Sequence, residues 1–134
     1  MRAITEDFEM LHVNDLVIEV VNLSRATYKE ASQLKKNLDE VIKNNQKKII
    51  VDLSQCEFID STFLGVLVLS LKSSAKIGGD VRLIKPAEVV KTLMEKAGTL
   101  NVFNLYDSMD EAIRSYEVQG DKNYYLGNGS PLLV

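Results

Sequence analysis

Two rhythms of apolar and polar positions run along the chain, and each predicts an element type. Phe8 to Val13 alternates weakly and predicts a short strand. Asn14-Asp15 is a turn pair. Leu16 to Val21 follows as a β-branched, nearly continuous apolar run. The two-residue break favours an antiparallel hairpin for these strands. Ser24-Arg25-Ala26-Thr27 reads as a loop leading into a helix. From Tyr28 to Asn44 the period is helical, with Ala31, Leu34, Leu38, Val41 and Ile42 on one face. Lys35, Lys36, Asp39, Glu40 and Lys43 lie on the other face.

Lys48 to Leu53 shows almost no polar alternation, as expected of a parallel strand covered on both faces. A short polar break then reaches Asp60-Ser61-Thr62, ahead of the most apolar stretch in the chain, Phe63 to Leu71. Periodicity alone fits a buried strand or a buried helix there. Length decides: the pattern is unbroken from Thr62 to Lys76, about 15 residues, which is too long for a usual strand. Gly78-Gly79 supplies the stop. Val81 to Ile84 predicts a strand, ended by Lys85-Pro86. Ala87 to Ala97 predicts a helix with Val89, Val90, Leu93 and Met94 on one side. Leu100 to Tyr106 predicts the last strand. Asp107 or Ser108 caps a final helix whose Ala112, Ile113 and Tyr116 face inward.

Residues 119–134 are rich in Gly and Asn and have no period, so they read as a flexible extension of one domain spanning 1–118. The order is ββαβαβαβα. It predicts an α/β fold: a mostly parallel mixed sheet with an N-terminal hairpin and about four helices.

Composition narrows the function. A chain of 134 residues is large enough for one domain with a real core. Its 46% hydrophobic and 26% charged content is ordinary for a globular protein and speaks against disorder. A net charge of −3 gives no general attraction to nucleic acid or to an anionic membrane. The apolar run at 63–71 is far short of a bilayer span. The N-terminus turns acidic at Glu6-Asp7 and lacks a signal-peptide core, so the expected location is cytoplasmic. Cys56 is the only cysteine and His12 the only histidine, which leaves no internal disulfide and no cysteine or histidine metal cluster. No nucleophile with a paired base and no phosphate-cradling glycine loop stands in the sequence. The expectation is a binding module rather than an enzyme, without cofactor or metal.

Ile50-Val51-Asp52-Leu53-Ser54 followed by Phe58-Ile59-Asp60-Ser61-Thr62 resembles the signature of the STAS domain, the family of the bacterial anti-sigma factor antagonists. Lys76 to Asp80 resembles that family's Gly-rich link, Pro86 to Phe103 its third helix and final strand, and Asp110 to Ile113 its closing helix. The likeness covers residues 8–117 and implies a STAS-like fold. In antagonists of this type the serine after the aspartate of the Asp-Ser-Ser/Thr-Gly motif is phosphorylated by an anti-sigma factor serine kinase. The unphosphorylated antagonist binds that kinase and frees the sigma factor. Phosphorylation switches binding off, and a serine phosphatase restores it. The serine falls on Ser61 and the aspartate on Asp60. The sequence departs from the pattern twice: Phe63 replaces the usual glycine, and Ser24 to Thr27 lacks the usual Gly-x-Leu-Asp segment.

Ser61 therefore carries two readings. Serine is a favoured N-cap, worth roughly 1 kcal/mol to a helix. As phosphoacceptor, it would gain about −1.5 to −2 charges beside a helix N-terminus able to hold them. Thr62 is the alternate acceptor. Asp60 either orients the hydroxyl or accepts backbone N–H bonds. Phe63 is either a binding anchor or core. The expected partner surface comprises Asp60, Ser61, Thr62, Phe63 and Leu64, on a monomer or weak dimer. The other outcome is a STAS scaffold, a partner-switch component whose Ser61 is never phosphorylated.

Overall fold

A computed structural model describes residues 6–122, with side-chain surroundings given for 6–117. Strands β1 (Phe8–Val13) and β2 (Leu16–Val21) form the antiparallel hairpin, with Asn14 at φ 55 in its turn. Asparagine tolerates that left-handed conformation better than most residues. A two-residue strand β3 (Arg25–Ala26) precedes helix α1 (Tyr28–Lys43). Then come β4 (Lys48–Asp52), a second short strand β5 (Phe58–Ile59) and helix α2 (Ser61–Lys76). Strand β6 (Asp80–Ile84), helix α3 (Glu88–Lys96), a 3-10 turn (Leu100–Val102), β7 (Leu105–Tyr106) and α4 (Met109–Lys122) complete the described residues.

The main sheet runs β1-β2-β4-β6-β7, antiparallel at β1 and parallel elsewhere. The mostly parallel mixed sheet and the four helices match the expectation. Strand alternation sorts the core into two sides. Val17, Val21, Ile49, Val51, Val81 and Leu83 pack with α1, α2 and α3. Leu16, Ile18, Val20, Ile50 and Ile84 pack under Ala112 and Tyr116 of α4. The Tyr116 hydroxyl joins α4 to the sheet through Ile49 O at 2.9 Å and Asp80 O at 2.8 Å. The Arg82 guanidinium lies 4.0 Å from the Tyr116 ring centre.

Three expectations need correction. Leu100 to Tyr106 is a 3-10 turn followed by a two-residue strand, because β7 finds partners only at Leu83 and Ile84. Val89 is exposed while Val90 and Met94 are buried, so α3 presents a narrower apolar stripe than its sequence offers. Ser24 to Thr27 is not all loop, since Arg25 and Ala26 pair with Phe58 and Ile59. Helix α4 continues to Lys122. Residues 123–134, the rest of the expected extension, lie outside the described residues.

The turn after α2 depends on its glycines. Gly78 has φ +81, and a Cβ on Gly79 would stand 2.6 Å from Ser74 Oγ and 2.7 Å from Lys47 O. Glycine is the residue that fits both demands.

Candidate functional site

The short β3–β5 pair sets the geometry of the proposed switch. Arg25 pairs with Phe58 and Ala26 with Ile59, in parallel. Asp60 N donates to Ala26 O at 3.1 Å, and Glu57 N to Ser24 O at 2.8 Å. The starts of α1 and α2 are thereby held side by side. Thr27 caps α1 in a capping box with Glu30, whose Oε1 accepts from Thr27 N at 2.9 Å.

Asp60 caps α2, and its Oδ1 accepts from Phe63 N at 2.9 Å. Its Oδ2 accepts from Tyr28 N, the first residue of α1, at 2.8 Å. One carboxylate therefore serves the free N–H groups of two helices, where the helix dipoles favour negative charge. Of the two readings of Asp60, the backbone-binding one describes this structure.

The capping reading of Ser61 is corrected by the same bonds. Aspartate, an equally good cap, already occupies the position, so Ser61 becomes the first residue inside the helix. Its side chain is exposed, as is that of Thr62. Two other expected surface residues are not at the surface. Phe63 is fully buried and stacks on Phe8, with ring centres 6.4 Å apart. Leu64 is buried beside it in the core. The helix turns both side chains toward the sheet, so neither can touch a partner directly. The departure from glycine at Phe63 is thus filled by packing.

Helix geometry aligns Ser61, Thr62, Gly65, Leu69 and Lys72 on one outward stripe of α2. Leu69 is 54% exposed, unusual for a leucine on so apolar a helix. Next to the Ser61 end stand Tyr28, 65% exposed at the start of α1, and Phe58, whose ring lies 4.2 Å from the Arg25 guanidinium carbon. Arg25, Tyr28 and Lys29 also line an open hollow of about 420 Å³ around the start of α1. Hydroxyls, a glycine, exposed apolar groups and cations thus meet at one end of the fold. Sequence reading missed Tyr28, Phe58, Gly65 and Leu69. The glycine inside an otherwise apolar helix was the one signal that could have pointed to them.

The remaining singled-out residues have structural roles. Asp52 Oδ1 accepts from Ser54 N at 2.9 Å and closes the turn after β4. Cys56 is buried, and desolvation pushes its thiol up to about 12, so it stays protonated and unreactive. His12 is exposed on β1. Among the described residues, no group of three or more His, Cys, Asp or Glu is placed to hold a metal. No helix among them is long and apolar enough to cross a membrane.

Comparison with known proteins agrees with this geometry. The STAS domain family pattern matches residues 8–112. A candidate anti-sigma factor antagonist of Thermotoga neapolitana is 36% identical over 109 residues, covering 81% of this chain and 94% of the relative. The crystal structure of a candidate anti-sigma factor antagonist from Thermotoga maritima superposes with a TM-score of 0.72 at 32% identity, covering 81% and 92% of the two chains. The Bacillus cell-fate determinant SpoIIAA in its phosphorylated form shares the fold, with a TM-score of 0.68 at 17% identity over 81% and 98% of the two chains.

Proposed function

We propose that this chain, which belongs to the STAS domain family and to its anti-sigma factor antagonists, is a partner switch controlled by phosphorylation at Ser61. Unphosphorylated, it binds an anti-sigma factor serine kinase in the cytoplasm and frees the sigma factor. The Ser61 hydroxyl then takes the γ-phosphoryl group of ATP, ADP leaves, and the kinase removes the hydroxyl proton. The phosphorylated chain dissociates, and a serine phosphatase resets it.

The observation that supports this reading is the division of labour between Asp60 and Ser61. Because Asp60 takes the capping role, the Ser61 hydroxyl is exposed and free for chemistry. A phosphate there adds about −1.5 to −2 charges next to the Asp60 carboxylate. The N-terminal dipole of α2 tolerates that charge within the chain. An acidic or apolar partner surface does not. Binding is thus switched by repulsion and desolvation, without refolding. Thr62, exposed on the adjacent position, is the alternate acceptor.

One observation favours the scaffold reading. Both Asp60 oxygens already accept backbone N–H bonds, and Ser24 to Thr27 supplies no second carboxylate near Ser61. A kinase that needs a free carboxylate to orient the hydroxyl would leave this chain unmodified.

Ser61→Asp and Ser61→Ala separate the two readings. Measured by calorimetry against the cognate kinase, Ser61→Ala is expected to bind as the parent does. Ser61→Asp is expected to bind at least tenfold more weakly while keeping the parent's circular dichroism. Equal binding by both variants contradicts a charge switch.

A further inference from the structure

Strand β2 carries a residue its surroundings do not explain. Glu19 interrupts an otherwise apolar strand and is 0% exposed. It lies on the helix-facing side of the sheet with Val17 and Val21. Its Oε2 accepts from Asn37 Nδ2 on α1 at 2.7 Å. The Asn37 amide is itself fixed, because its Oδ1 accepts from Gln33 Nε2 at 2.8 Å. Among the described residues, Glu19 Oε1 has no hydrogen-bond partner. Leaving one oxygen of a buried carboxylate without a hydrogen bond is costly, because its lost hydration is not replaced. An apolar residue here would avoid that cost.

Glu19 lines a half-open cavity of about 450 Å³ between the edge strand β1 and the C-terminal half of α1. That volume falls within the usual range for small-molecule sites. Phe8, Met10, Val17 and Val41 supply an apolar wall. Among the described residues, the carboxylates on the lining besides Glu19 are Glu6 and Glu40. Among the described residues, neither lysine nor arginine lines it. The cavity thus joins an apolar wall, a negative field and one unused acceptor at its buried side.

From this geometry we infer that the cavity between β1 and α1 is a binding site for a small organic ammonium ion. Its amine donates to Glu19 Oε1, and its aliphatic or aromatic body lies against Phe8, Met10, Val17 and Val41. Asn37 is a positioning residue that holds the carboxylate in line. Burial raises the Glu19 carboxyl to about 7, so near neutrality a cation can displace its proton to solvent and take its place. The site lies among α1, β1 and β2 rather than on the exposed stripe of α2. It does not depend on the phosphorylation reading.

The test uses the full chain labelled with nitrogen-15, in about 150 mM salt to screen surface charge. Butylammonium, phenethylammonium and agmatine are titrated separately and followed by amide chemical shifts. Phenethyl alcohol serves as the neutral control. The expected result is saturable shifts for at least one amine, centred on Met10, Glu19, the Asn37 side-chain amide and Val41. The alcohol should bind at least tenfold more weakly. Glu19→Gln, which keeps the shape and can still accept from Asn37, should lose at least tenfold in amine affinity. Should that variant fail to fold, the amine-against-alcohol comparison on the parent chain decides alone. No saturable shift with any of the three amines overturns the proposal. So do equal binding of alcohol and amine, shifts scattered over the acidic surface, and undiminished binding by a folded Glu19→Gln.

Discussion

Asp60 shows how one side chain can set the chemistry of its neighbour. Because its two oxygens satisfy Phe63 N and Tyr28 N, the hydroxyl next door has no structural duty. Asp60→Ala is expected to cost about 1–2 kcal/mol of unfolding free energy, since two helix starts lose an acceptor. Chemical denaturation measures this; a change below a few tenths of a kcal/mol would contradict the bridging role. Glu19 makes a second prediction. Its carboxyl, ordinarily near 4.5, is raised to about 7 by burial. The unfolded chain then releases this proton at a lower pH than the folded chain does. Between about 4.5 and 7 the folded state holds the extra proton, so this group's contribution to stability is lost as pH rises through that window. Each pH unit across it is worth on the order of 1 kcal/mol. Glu19→Gln should therefore gain on the parent chain between pH 5 and pH 8 in urea titrations. A stability difference that is the same at both pH values contradicts a raised carboxyl.

Helix α2 carries the proposed interaction surface, and Gly65 is its most informative position. A Cβ there would meet nothing within 4 Å. Glycine inside a helix is about 1 kcal/mol less favourable than alanine. Packing within this chain therefore gives no reason for it. Its place on the stripe of Ser61, Thr62 and Leu69 gives another reason: the close approach of a partner's backbone. Gly65→Ala is expected to raise unfolding free energy by about 0.5–1 kcal/mol and to weaken kinase binding severalfold. Loss of stability, or unchanged binding, contradicts this account of the glycine. The length and apolar content of α2 were readable from its residues. Which of its faces is outward was not, because Phe63, Leu64 and Leu69 look alike in sequence. Only the angle at which the helix meets the sheet separates them. The pair β3–β5 was equally hidden, since two-residue strands have no period. The cap was misread for a chemical reason: Asp60 and Ser61 are both good caps, and the backbone at Asp60 decides between them.

For the molecule as a whole, the alternation of strands and helices did predict the sheet. Continuous apolar runs at β2 and β4 identify strands covered on both faces, and the hairpin turn at Asn14 makes β1 the antiparallel edge. Less legible was the division of labour across that sheet. Tyr116 and Arg82 close the α4 side, leaving the opposite layer of α1, α2 and α3 to present the surface around Ser61. Glu19 was lost inside an apolar strand for the same reason: nothing local in Leu16 to Val21 tells that its neighbour is a cavity.

Phosphorylation is the step on which the functional reading stands. Incubated with its cognate anti-sigma factor kinase and ATP, the intact chain should gain the mass of one phosphoryl group, which fragment sequencing should place on Ser61. The Ser61→Ala variant should show no gain. An unchanged mass in the parent chain, with the kinase bound and active on another substrate, would contradict the switch and leave the scaffold reading in its place.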